Sequence, residues 1–265
     1  MTSIPLRRML PFGSRHSVHI IERNRLIFRR GWMIIFSGFF EPLFYLAGIG
    51  FGLGSLIGSV QGPNGEPIPY AVFVAPALLA TAAMNGAVYD STNMFFRLRY
   101  EKAYDGMLST PMNVGDITLG EIVWALGRGS LYGFGFLVVM FVVGLVPSAW
   151  GILALPASML IGFATAAAGL TAVSFMRSWQ DLDLIFVVTL PLFLFSATFF
   201  PITAYPESLR LIIEVTPLYR GVDLVRGLTT GNVGVSQLID VAYLAVFGTV
   251  FLLIASRRLG RLLLK

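Results

Sequence analysis

Long apolar runs alternate with short polar breaks along this chain, and that rhythm predicts its elements. Apolar stretches occupy 32–58, 70–96, 117–146, 150–175, 184–200 and 238–255. A membrane-spanning helix needs about 20 mostly apolar residues, with a lower limit near 17. The pattern therefore predicts an all-α, polytopic membrane protein with six transmembrane helices, forming a domain over 32–256. The segment 201–230 breaks the rhythm. Pro201, Pro206 and Pro217 cut it into pieces too short to cross a bilayer. Within these pieces Leu209, Ile212 and Ile213, then Leu218, Val222 and Val225, recur at helical spacing. They read as a re-entrant helical hairpin between spans five and six, which enters and leaves by one face. Such backbone persists at membrane depth only where protein or cavity water covers it. A loop carrying an amphipathic surface helix fits the same pattern.

The polar breaks carry the topology. The segment 1–31 holds Arg7, Arg8, Arg15, Arg23, Arg25, Arg29 and Arg30. Val18, Ile21 and Phe28 lean to one side of it, as in a basic amphipathic helix at a membrane interface; a plain topology signal is the alternative. Basic residues return at 97–102, at Arg177 and in the tail 257–265, while 59–69 has none. The positive-inside rule then puts both termini in the cytoplasm. That requires an even number of spans, and six works only if 201–237 does not cross. Arg210, Arg220 and Arg226 are the exceptions, all in the broken element. A short helix over 98–108 is expected on the inner side, ended by Pro111. In the first span Gly50, Gly54 and Gly58 make small-xxx-small steps that admit a neighbouring helix.

Composition agrees with this reading. The chain is 56% hydrophobic and 12% charged, with mean hydropathy +0.77; soluble domains average about 25% charged residues. The net charge of +5 sits at span boundaries, so it signals orientation rather than a nucleic-acid partner. Cysteine is absent, which removes disulfide and thiolate chemistry. His16 and His19 both precede the first span. There is no phosphate-binding G-x-x-x-x-G-K-[ST], no H-E-x-x-H and no G-x-S-x-G. The chain is therefore not expected to be an enzyme or to bind a metal or cofactor itself. Glu41, Asp90, Glu121 and Arg128 fall within spans, where a charge is costly and faces a partner or water. They form either an ion path or a set of structural pairs, with Arg128 held by an acid and Asp90 and Glu121 near the inner interface. Arg220, Asp223 and Arg226 stand three apart and share a helical face. They pair with each other and lipid phosphates, or they collar an exit above an apolar plug of Leu209, Ile212 and Ile213.

Three stretches carry a resemblance: FEPLFYLAGIGFGLG in the first span, EKAYDGMLSTPMNVGDITLGEIVWA before the third, and FFPITAYPESLRLIIEVTPLYRGVDLVRGLTTG after the fifth. Together they resemble the membrane subunit of type-2 ABC exporters, with the nodulation-protein J branch, exporters of lipo-oligosaccharides, as the nearest likeness. The resemblance implies a half-transporter in a bacterial cytoplasmic membrane, paired with a second copy or a homologous permease. It implies two separate ATPase subunits that bind ATP and Mg. It implies that the N-terminal helix and the segment around Arg99, Glu101, Lys102, Tyr104 and Asp105 meet the ATPase. The broken element, from Pro201 through Pro206 and Pro217 to Arg226, would close the outer end. A cleft lined by Phe and Leu, in a chain with 22 Phe, suits an amphipathic or lipid-linked cargo such as a glycolipid, lipo-oligosaccharide or hydrophobic drug. A secondary transporter or channel using Glu41 and Arg128 is the alternative.

Overall fold

The computed structural model describes residues 16–30, 40–62 and 65–264. Arg7, Arg8, Arg15, Lys265 and the start of the first predicted span lie outside the described residues. The protein is mostly helical: α1 Ser17–Arg30, α2 Phe40–Ile57, α3 Tyr70–Arg99, α4 Ala103–Leu108, α5 Val114–Val142, α6 Ala149–Phe175, α7 Asp183–Phe195, α8 Glu207–Glu214, α9 Pro217–Thr230 and α10 Val235–Leu263. Among the described residues five helices are long and apolar enough to cross a membrane: α2, α3, α5, α6 and α10.

Local chemistry sets the boundaries. Asn113 opens α5 with a capping box: its side chain accepts from the Asp116 N–H at 2.8 Å, and the Asp116 carboxylate accepts from the Asn113 N–H at 3.0 Å. This satisfies donors that a helix start otherwise leaves free. Thr216 caps α9, Pro217 fills its first turn, and Gly231 ends it at φ +89°, a left-handed cap that glycine adopts without penalty.

Three boundaries differ from the sequence expectation. The 59–69 loop is a small antiparallel hairpin, β1 Ser59–Gln61 paired with β2 Pro67–Pro69, so the chain is not wholly α. The helix expected over 98–108 begins only at Ala103, because Lys102 turns left-handed (φ +48°) and separates α4 from α3. The run 184–200 is helical only to Phe195: the helix continues past Pro191 and stops where Ala197 turns to φ +53°. At 13 residues, α7 is about 20 Å long, short of a typical hydrocarbon core of about 30 Å.

The centre of the bundle is α3. In its most apolar stretch 89% of residues are buried, against 17% for α2. It packs against α5 and α6, and its approach to α5 is close. A Cβ on Gly86 would stand 2.9 Å from the Gly129 Cα, so only the missing side chains let these helices meet at that distance. The core has two lobes. One surrounds Phe73, Phe136, Met140, Leu218, Val222 and Leu244 toward the β-hairpin end. The other surrounds Ile20, Phe95, Tyr104, Ile117, Leu170 and Leu259 toward the arginine-rich end.

Candidate functional site: a buried ionic seam between α3 and α5

Asp90 and Arg97 stand seven residues apart on α3; Glu121 and Arg128 stand seven apart on α5. Seven residues are about two helical turns, roughly 10.5 Å. The helices run antiparallel with the same order of signs, so the charges meet in two crossed pairs. Arg97 Nη1 donates to Glu121 Oε2, and Arg128 Nη1 lies 3.4 Å from Asp90 Oδ1. Asp90 and Glu121 are fully buried. A buried carboxylate needs a partner and further hydrogen bonds to offset its desolvation.

Glu121 recruits those bonds from two further elements. Asn24 Nδ2 of α1 donates to its Oε2 at 3.1 Å, and the Tyr104 hydroxyl of α4 donates to its Oε1 at 2.9 Å. One carboxylate thus joins α1, α3, α4 and α5. Burial, and then the Glu121 charge, push the Tyr104 phenol well above its usual range, so it stays a donor at physiological pH.

The contact between α1 and α5 repeats along both helices. Ile20 lies over Gly120, where an added Cβ would come within 2.8 Å of the Ile20 Cβ. Asn24 reaches Glu121, and Phe28 packs on Trp124 at 5.3 Å between ring centroids. Phe28 also lies 4.9 Å beneath the Arg128 guanidinium, a cation–π contact. Asn93 donates to Asp90 at 3.2 Å, and Arg128 Nε donates to the Tyr132 hydroxyl at 3.3 Å.

The remaining residues singled out from the sequence are dispersed. Arg99 donates to the Met176 carbonyl at 2.7 Å, tying α3 to the α6–α7 turn. Glu101 lies 3.7 Å from Arg23 of α1; Lys102 and Asp105 are exposed. Glu41 is apart from Arg128. It lines a cavity of about 220 Å³ between α2, α3 and α7, with Tyr45, Thr81, Asn85, Tyr89 and Thr189, and accepts from the Tyr89 hydroxyl at 3.4 Å. Gly50 and Gly54 approach Tyr70 and Ala71 of α3, so their contact lies within the subunit, while Gly58 stands at φ +75° past the end of α2, where an added Cβ would meet open space.

At the other end, Pro201, Pro206 and Pro217 each stand at the start of a helical turn. Ile213 is buried, whereas Leu209 and Ile212 are 42% and 66% exposed. Arg220, Asp223 and Arg226 do not stand as one exposed row. Arg220 pairs with Asp240 of α10 at 3.2 Å. Arg226 is buried, donates to the carbonyls of Phe73 and Ala197, and lies 3.9 Å above the Phe73 ring.

Sequence reading missed Asn24, Phe28, Arg97 and Asp240 as partners. Arg97 read as a boundary charge, yet its spacing from Asp90 matches that of Glu121 and Arg128, and that match was a usable signal. Nothing in the sequence pointed to Asn24.

A bundle of apolar spans locked by buried ion pairs is a multi-pass helical membrane protein. The chain belongs to the ABC-2 type transporter family, whose model matches residues 17–229. It is 30% identical to nodulation protein J of Rhizobium leguminosarum bv. trifolii over 261 residues, 97% of each chain. It is 28% identical to nodulation protein J of Rhizobium meliloti over 260 residues, 96% of this chain and 97% of that one. It is 24% identical to the inner membrane transport permease YadH of Escherichia coli over 207 residues, 77% of this chain and 76% of that one. As a member of this family the chain is a membrane permease, a transport subunit rather than an enzyme.

Proposed function

We propose that this chain is the permease half of an ATP-driven exporter in a bacterial cytoplasmic membrane, with its arginine-rich end and both termini in the cytoplasm. The observation that carries the reading is the Glu121 junction. A short helix between spans (α4) and an N-terminal helix (α1) converge on one buried carboxylate. A push on either helix by a separate ATPase would reach α3 and α5 without passing through a flexible loop. Two ATPase subunits, carrying ATP and Mg, dock there, with Glu101, Lys102 and Asp105 presented outward. The short α7 serves as the fifth span and α8–α9 as a re-entrant hairpin at the outer end. There Arg226 anchors the hairpin to α3, and Leu209 and Ile212 face the seal. A second permease copy or a homologue covers the open α2–α7 face.

The cargo is amphipathic or lipid-linked. Nodulation protein J lies in the same family, and the α2–α7 cavity pairs aromatic walls with a few polar groups. An ion path through Glu41 and Arg128 lacks comparable support, because Arg128 is engaged by Asp90. The test is reconstitution of inside-out vesicles with this chain and a Walker-motif ATPase that copurifies with it. Uptake of a fluorescent lipo-oligosaccharide should require both proteins and ATP. Flux through this chain alone, driven by a proton gradient, would overturn the proposal.

A further inference from the structure

A second cavity, apolar and about 500 Å³, lies between α3, α6 and α7. Met84 and Val88 form its floor; Ala168 and Ala172 form one wall, and Ile185 and Val188 the other. It runs from Thr165 to Met176 along α6, about 16 Å at helical rise. Of its three polar residues, Thr165, Asp181 and Thr189, the first two are already engaged. Thr165 Oγ1 donates to the Ile161 carbonyl at 2.8 Å. The Asp181 carboxylate accepts from the N–H groups of Arg177 and Ser178 at 2.7 and 3.0 Å. No residue of α7 is fully buried, and Ile185 and Leu192 are only partly covered by the core, so the outer wall is a loosely packed helix. The interior therefore suits an apolar chain without hydrogen-bonding groups.

The mouth has the opposite character. Met176 ends the slot, and Arg99 donates through Nη2 to its carbonyl while Nε remains buried without a partner. Arg177 follows in the chain with an exposed side chain, and Trp179 is 57% exposed on the same turn. Arginine next to an aromatic at a span boundary is the chemistry of the headgroup layer.

We infer that this slot holds one acyl chain of an anionic membrane phospholipid, whose phosphate sits at Arg99 and Arg177. The site adjoins the proposed cargo cavity across α7, where Thr189 lines both, but the inference does not rest on the exporter reading. The slot's apolar interior selects a hydrocarbon chain, and the arginine pair selects a phosphate head over a neutral one.

The purified full chain in nanodiscs is irradiated with phosphatidylglycerol carrying a diazirine in one acyl chain, and the labelled peptides are mapped. Label should fall on α6 and α7 and be competed by unlabelled phosphatidylglycerol. Ala172→Trp fills the slot and should reduce that label about tenfold, the equivalent of about two lost methylene burials. Arg99→Gln with Arg177→Gln should lower the preference for phosphatidylglycerol over phosphatidylcholine, by about fivefold for each arginine. If Ala172→Trp fails to fold, Ala168→Leu replaces it with the same readouts. Labelling unaffected by the filled slot, or confined to the outer face of α10, would overturn the inference. So would a filled slot that changes dimerisation rather than labelling, which would give the surface to a second copy. Label displaced by a lipo-oligosaccharide but not by phosphatidylglycerol would make it a cargo site and overturn it equally.

Discussion

Two faces of α3 are built to opposite plans. Toward α5 it meets glycine against glycine at Gly86 and Gly129, and pairs two of its three charges, Asp90 and Arg97, with Arg128 and Glu121. Toward α2 and α7 it presents Thr81, Asn85 and Tyr89 to a cavity, opposite helices that are mostly or wholly unburied. The first face is a closed joint in which every displacement breaks a charged contact. The second is left open, with polar groups at the depth of the spans. Polar groups at that depth are tolerated where they face protein, water or a bound molecule. On the proposed reading, the contrast separates the part of the molecule that transmits force from the part that meets another molecule.

The largest expected difference comes from removing one acid on each face. Glu121→Leu leaves Arg97 buried and unpaired, and should destabilise the protein by about 3–5 kcal/mol. Glu41→Gln, on the open face, should change stability by no more than about 0.5 kcal/mol. Thermal unfolding in detergent would compare them, and equal losses would erase the distinction. Next is Asn24→Ala, which removes a hydrogen bond to a buried carboxylate and should cost about 1.5–3 kcal/mol. Limited proteolysis should then cut α1 first while the spans stay protected. Gly86→Ala tests the close approach itself. Its Cβ would meet the Gly129 Cα at 2.9 Å, and overpacking of this kind costs about 1–3 kcal/mol. The corresponding change at Gly48, which has open space around it, should be neutral.

Much of this was legible in the sequence. Five of the six apolar runs correspond to helices long enough to cross a membrane, because about twenty apolar residues admit few other structures. The segment 201–230 read correctly as carrying two short helices, Glu207–Glu214 and Pro217–Thr230, since proline is well placed at helix starts. The end of α7 was not legible: Ser196–Phe200 continues the apolar run, and only the left-handed Ala197 stops the helix. The fate of Arg226 was hidden for a different reason. Its spacing from Arg220 and Asp223 puts the three on one face of α9, but tertiary packing turns Arg226 onto the Phe73 ring. Asn24 was invisible because an asparagine on an amphipathic helix is ordinarily solvated, and only the fold brings Glu121 to it.

The smallest expected effect is one of pH. Backbone N–H groups of Arg177 and Ser178 hold the Asp181 carboxyl below its usual range. A depressed carboxylate contributes stability above its unfolded value, near pH 4, and loses it as pH falls through the lower folded value. The α6–α7 turn should therefore be insensitive between about pH 5 and 8 and loosen only below about pH 4. A spin label on Trp179→Cys would report this, and loosening near neutrality would contradict the assigned hydrogen bonds.

In the proposed exporter the closed joint, not the open face, receives the ATPase. The chain contains no cysteine, so single cysteines can be placed without background. The decisive measurement is cross-linking of the ATPase to cysteines at Glu101 and Asp105 beside α4, against Ile212 on α8 at the opposite end. Cross-links are expected from Glu101 and Asp105, altered by ATP, and none from Ile212. Failure of both positions beside α4, or a cross-link from Ile212, would contradict it.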